Sequence, residues 1–346
     1  MGFEADEVSL NRKWHEMMST SQNVTLPTHP DVPDTNLFGL NPANTFGIEV
    51  EVENVFPSMS EEKLASYCAS LESLSVDGWW RTDEDGSLRN SGREFISYPL
   101  KGNEVGYGFQ RLFSVLHPKA DFNLRAGIHV HVNCRDMRLG QISKAILLAV
   151  VFESMMFRMT DPSRHNNIFC VPVTASDGIW DMLNWFATNK GPAVQKYSAL
   201  NVVPLTERSF GTVEFRHLET TNDMQKLQRW LQVIDSIWTY ARNPITFTDL
   251  LSRVSALTTS SMIFNFGEDV FADVWSSVKS YADRHEINHT IAKVKQIVYT
   301  DSNVFCGDDM ASWLSSHAKF QQHNISCLFQ HLSKTSLDTP VENPED

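Results

Sequence analysis

Phe46-Gly47-Ile48-Glu49-Val50-Glu51-Val52-Glu53 is the stretch from which the fold can be read, because apolar residues at every second position alternate with Gly47 and three glutamates. A period of two belongs to a strand with two unlike faces. Ile48, Val50 and Val52 would pack inward, while Glu49, Glu51 and Glu53 stand in a row on the other face, neighbours roughly 7 Å apart. Like charges so arranged repel one another, so such a row faces bulk water or gathers around cations.

Three further segments bear on that choice. Gly127-Ile128-His129-Val130-His131-Val132-Asn133 has the same design, with His129, His131 and Asn133 on its polar face. Two imidazoles at i and i+2 of one strand face can converge on a metal. Arg93-Glu94-Phe95-Ile96-Ser97-Tyr98-Pro99 is β-prone and ends at proline, which places Glu94 within a strand. In Gly211-Thr212-Val213-Glu214-Phe215-Arg216-His217-Leu218-Glu219, Glu214 and Arg216 share a face, as a simple salt bridge or as groups handling a cation and a phosphate.

Between and around these strands the chain reads as mostly helical. Helices are expected near 5–18, 58–74, 141–159 and 222–241, and after Pro244 near 247–256, 268–283, 287–299 and 308–322. Residues 19–36 read as a Pro- and Thr-rich arm and 333–346 as a disordered acidic tail. Asp77–Leu88 reads as a strand followed by an acidic turn, where Asp83 and Asp85 are turn residues or weak cation ligands. Arg164-His165-Asn166-Asn167 is either solvated surface or a cationic loop for an anionic substrate group. The expected organisation is an N-terminal helix and arm at 1–43, a domain carrying these strands at 44–243, a helical region at 244–332 and the tail at 333–346.

Composition excludes several classes. The chain has 346 residues, 29 Lys and Arg against 42 Asp and Glu, and a net charge of −13, which opposes attraction to nucleic acid or anionic membranes. Five scattered cysteines without a C-x-x-C pair, and an acidic start lacking an apolar signal core, point to reduced thiols in the cytoplasm. No apolar run is long enough to span a bilayer. A phosphate-binding G-x-x-x-x-G-K-[ST] loop is absent, Gly106-x-Gly108 lacks a third glycine, and neither H-E-x-x-H nor G-x-S-x-G occurs.

In order, the segments F-G-I-E-V-E-V-E, R-E-F-I-S-Y-P-L, A-G-I-H-V-H-V-N, R-H-N-N-I-F-C, K-Y-S-A-L-N and G-T-V-E-F-R-H-L-E resemble those of the amidoligases. These are carboxylate–amine ligases distantly related to glutamine synthetase and glutamate–cysteine ligase, and the resemblance covers roughly residues 44–243. It implies an α+β fold in which an antiparallel sheet curls into a funnel, surrounded by helices, with a mostly helical C-terminal region. It also implies ATP and magnesium ions between the ends of the funnel. By motif, Glu49 and Glu94 would serve one metal and Glu51, His129 and Glu214 a second. Arg216 would hold the transferred phosphate, His131 would lie near the incoming amine, and Arg164 would grip the substrate. The remaining carboxylate of the first metal is not evident, with Asp83 and Asp85 as stand-ins, and Glu53 and Glu219 receive no role.

The implied reaction is formation of an amide or isopeptide bond between a small-molecule or peptide carboxylate and an amine. The carboxylate is activated by the γ-phosphoryl of ATP as an acyl phosphate, and catalysis is chiefly positioning and electrostatic stabilisation. Two other readings stay open on the residues alone. A metal-dependent hydrolase would use His129, His131 and the glutamates to activate water and would turn over without nucleotide. A non-catalytic structural or binding protein would keep the strands as scaffold.

Overall fold

The computed structural model describes residues 29, 32, 35–175, 197–206 and 211–294. The helix expected at 5–18, the segment around Trp180 and Trp185, the helix at 308–322 and the tail at 333–346 lie outside these residues.

The alternating segments become neighbouring strands of one antiparallel sheet. Its seven strands are β1 (Thr45–Val52), β2 (Trp80–Asp83), β3 (Arg93–Ser97), β4 (Leu100–Lys101), β5 (Gly127–Asn133), β6 (Leu200–Asn201) and β7 (Thr212–Glu219). They run in the order β2-β3-β1-β5-β7-β6, with the two-residue β4 beside the start of β1. Ile48, Val50, Val52, Phe95, Ile128, Val130, Val132, Val213 and Phe215 are all fully buried on the apolar face. The polar face therefore collects the alternate residues of every strand.

Helices cover the apolar face. They include α1 (Glu61–Val76), α2 (Gly102–Val115), α3 (Leu139–Val151), α4 (Glu153–Arg158), α5 (Met224–Ala241), α6 (Phe247–Ala256), α7 (Ser260–Phe271) and the short α8 (Trp275–Val278), with a single further turn at Val203–Thr206. One hydrophobic cluster links Phe38 to Val294, so the C-terminal helices share the core of the sheet. No helix among the described residues is long and apolar enough to cross a membrane.

The periodicity does not reveal α2, which carries Gly102, Gly106 and Gly108. Glycine is needed there for close approach. A Cβ on Gly102 would lie 2.3 Å from the Asn41 carbonyl oxygen, and one on Gly106 would lie 2.8 Å from the Leu37 Cβ. The helix expected at 141–159 divides at Phe152 (φ −99°, ψ 11°). That ring packs against Phe266 and Phe271, and next to it the buried Glu153 caps the Val173 and Thr174 amides at 2.7 and 2.8 Å. The helix expected at 268–283 instead begins at Ser260, capped by the Thr259 hydroxyl, and stops at Ala272 with φ 45°. There the chain folds back, stacking Trp275 on Phe271 across Gly267.

Candidate metal centre and active site

Strand register assembles the site. Glu51 lies opposite Glu94, Glu94 opposite Asp83, Glu49 opposite His129, and His131 opposite Glu214. Five neighbouring strands thus place their polar residues side by side on one face. Three groups of side chains have ligand atoms lying within 4.8 Å of one another: Glu49, Glu94 and His129; Glu49, His131 and Glu214; and Glu51, Asp85 and Glu94.

These groups overlap through Glu49 and Glu94. The partition implied by the resemblance differs, since Glu51 here groups with Glu94 and Asp85 rather than with His129 and Glu214. The reason is geometric: Glu51 faces Glu94 across β1 and β3, and its other oxygen accepts from the Gly127 amide at 2.6 Å. Glu51 and His129 still lie 3.7 Å apart.

The imidazoles hold the middle of the site. His129 Nδ1 is 3.0 Å from Glu49 Oε2 and 3.6 Å from Glu214 Oε1. His131 Nε2 is 3.3 Å from Glu49 Oε1, and its Nδ1 meets the Thr212 hydroxyl at 3.0 Å. Asn201 donates to Glu214 Oε2 at 2.6 Å. Thr212 and Asn201 are orienting groups that the strand pattern does not single out. Each lies on the polar face, but only the register shows which partner it meets.

Charge is unevenly balanced across this face. Burial and the neighbouring Glu49, Glu51, Asp85 and Asp83 carboxylates push Glu94 up to about 8. Burial also raises Glu49, but hydrogen bonds from His129 and His131 outweigh it and hold the carboxyl well below its usual range. Glu214 is lowered in net because His131, Arg216 and His129 offset its burial. His131 is raised, its hydrogen bond to Glu49 and the charge of Glu214 overcoming desolvation. The excess negative charge is therefore concentrated at the Glu94 end.

A β-bulge shapes the other end. Ile128 pairs with Leu218 but Val130 pairs with Phe215, so the single residue His129 faces both Arg216 and His217. Arg216 stays on the polar face, paired with Glu214 and donating from Nε to the Phe169 carbonyl at 3.2 Å. His217 turns into the core among Phe157, Phe215 and Trp230. Arg164, expected to grip a substrate, is placed differently: it is 2% exposed and donates to the carbonyls of Arg216 at 2.7 Å and His217 at 3.1 Å. Its donors brace the bulge. Residues 162–166 form a short 3-10 helix rather than an open loop, with Pro162 at its start.

Glu53 and Glu219 are satisfied by the protein itself. Glu53 accepts from the Arg89 amide at 2.9 Å, Asn123 at 2.8 Å and Arg125 at 3.1 Å. Glu219 pairs with Lys226 and accepts from the Asp161 amide at 2.9 Å. Free thiols are found at Cys68, Cys134 and Cys170 among the described residues.

No protein-family model matches the chain, and no curated protein matches it. Among solved structures, one described as a novel glutamine synthase homolog is similar over 93% of this chain and 75% of its own, at 13% identity and a TM-score of 0.36. A likeness of that size does not bear on the chemistry of the site.

Proposed function

We propose that the protein is an ATP- and magnesium-dependent carboxylate–amine ligase, built on a sheet whose polar face forms the funnel of the glutamine synthetase type. The observation that carries this reading is the set of overlapping ligand groups sharing Glu49 and Glu94, with Arg216 directly beside them. The donors suit hard divalent cations, since one group is wholly carboxylate and each of the others adds a single imidazole. The raised Glu94 carboxyl points the same way, because a bound cation relieves the like-charge crowding that causes it.

Glu49, Glu51, Glu94, His129, Glu214 and Asp85 would hold the cations. Magnesium and ATP, when bound, supply charge neutralisation and the phosphoryl group that turns the carboxylate into an acyl phosphate, from which an amine releases phosphate as the amide forms. Arg216, aimed by Glu214 and the Phe169 carbonyl, would bind the phosphoryl oxygens. His131, its Nδ1 against the Thr212 hydroxyl and its Nε2 beside Glu49, would lie near the incoming amine. Arg164 acts as a positioning residue for Arg216. The partners are a small-molecule or peptide carboxylate and an amine.

The test is calorimetric titration of ADP with and without magnesium into the wild type and Glu214→Gln. Magnesium-dependent binding that the substitution abolishes, with the circular dichroism spectrum unchanged, is the expected result. Absence of nucleotide binding under both conditions would overturn the ligase reading in favour of metal-dependent hydrolysis or a scaffold.

A further inference from the structure

Of the sixteen residues of α1 only Leu71 and Leu74 are buried, with Tyr67 half-buried, whereas α5 buries ten of its eighteen. A helix as short as α1 is marginal by itself in water and is held by the packing of an apolar face. Its outward side is not the polar surface that such sparse burial calls for. The exposed Leu64, Ala65, Cys68, Ala69, Glu72 and Val76 follow one another at i, i+1, i+4, i+5, i+8 and i+12, so they share one face, and Glu72 is the single charge among them. Val76, at 81%, is the most exposed of the large hydrophobic side chains among the described residues. Between Leu64 and Val76 the small side chains of Ala65, Cys68 and Ala69 leave a shallow depression.

The chain itself supplies a segment to match. His29 stacks on Trp79 with ring centroids 3.8 Å apart, and the Trp79 amide donates to the Leu74 carbonyl at 2.9 Å, so residues 1–28 join the fold beside the last turn of α1. In the helix expected at 5–18, Leu10, Trp14 and Met17 fall at i, i+4 and i+7 with Met18 alongside, an apolar stripe in a segment otherwise rich in charge. The connection at 19–28 spans up to about 33 Å when extended. With α1 about 24 Å long, the stripe reaches any part of the exposed face. The chain beyond Val294 starts elsewhere: Lys293 donates to the Thr174 carbonyl, and Thr174 is capped by Glu153 of α4, which packs on β7. Helix α1 packs on β2, at the opposite edge of the sheet.

We propose that residues 5–18 dock as an amphipathic helix on the exposed face of α1, with Trp14 over Ala65, Cys68 and Ala69. The tether selects this occupant over a second copy of the chain, because it holds the segment at an effective concentration on the order of millimolar. Since α1 leads directly into the edge strand β2, the docked segment extends the hydrophobic core at that end of the sheet. The inference does not depend on the chemistry of the polar face.

Cys68 reports on the contact, because its thiol lies in the middle of the face. The full chain is treated with N-ethylmaleimide, and labelling of the Cys68 peptide is followed by mass spectrometry, which separates it from the other cysteines. Trp14→Glu and Leu10→Asp raise the Cys68 labelling rate by at least about tenfold over the wild type, and Arg12→Glu, on the opposite side of the segment, leaves it unchanged. Val76→Glu gives the same rise from the α1 side, and its exposure keeps the test decisive even if a change in the N-terminal segment disturbs the fold. Wild-type Cys68 that labels as fast as in Trp14→Glu, or an equal rise in Arg12→Glu, overturns the inference. Protection that is lost on dilution and indifferent to Trp14→Glu overturns it too, and assigns the face to a second copy.

Discussion

Replacing Glu94 with Gln, and following unfolding by denaturant between about pH 5 and pH 9 in chelator and in magnesium, isolates the charge crowding at the cation groups. The carboxyl stands at about 8 in the folded protein against an ordinary 4.5, so the folded state keeps a proton that the unfolded chain has released. Its contribution to stability is complete below 4.5 and is lost as pH rises through about 8. At ~1.4 kcal/mol per pH unit, a displacement of that size corresponds to about 5 kcal/mol as an upper bound. Glu94 is half-buried and solvent screens it, which reduces the expected loss to about 2 kcal/mol. In chelator, the wild type should therefore lose about 2 kcal/mol relative to Glu94→Gln between the two ends of the range. His131 also loses stabilisation as pH rises, but both proteins share that change and it cancels in the difference. Magnesium should reverse the order at high pH, because the cation binds the ionised carboxylate and its binding free energy adds to folding. Parallel pH curves for the two proteins in chelator, or equal stabilisation of both by magnesium, would refute the reasoning.

Two further predictions concern the bulge. Arg164→Lys keeps the charge but cannot fork to both carbonyls, and it should cost about 2 kcal/mol of stability. It should also weaken magnesium–ADP binding in the wild-type background but not in Arg216→Gln, a coupling that simple loss of stability does not produce. His217 is 1% exposed, neither ring nitrogen has a hydrogen-bond partner among the described residues, and burial pushes its pKa down to about 3. The unfolded chain therefore takes the proton first, and stability is lost as pH falls from about 6.5 through about 3. At pH 5, His217→Phe should be more stable than the wild type by about 2 kcal/mol relative to their difference at pH 7.5, as measured by urea unfolding; equal acid sensitivity would show that the imidazole is solvated.

Much of the site was legible because it is written at a period of two. Glu49, Glu51, His129, His131 and Glu214 each declare their face through the apolar residues on either side, Arg216 shares the parity of Glu214, and the structure places them on one face as that pattern predicts. Arg164 was not legible in the same way. A cationic run after an apolar helix reads as a loop, and only the folded chain shows the guanidinium turned inward to carbonyls of a strand some fifty residues later. The helix at 247–256 falls where the pattern put it, whereas the one expected at 268–283 slipped for a related reason: Thr259 caps a helix whose apolar stripe is completed by Trp275, beyond the turn at Ala272.

Sequence alone determined the alternation, the chemical identity of the polar face and the acidic balance that makes cations its natural complement. These depend only on residues adjacent in the chain, where the pleat assigns side chains to faces. Tertiary structure decided which strands lie side by side, and therefore that Glu51 meets Glu94 as well as His129, that His129 faces a bulge, and that Gly47 lines a cavity together with Arg81 and Arg135. Lateral register is set by packing of the opposite face against α2, α4 and α5, which no local period records.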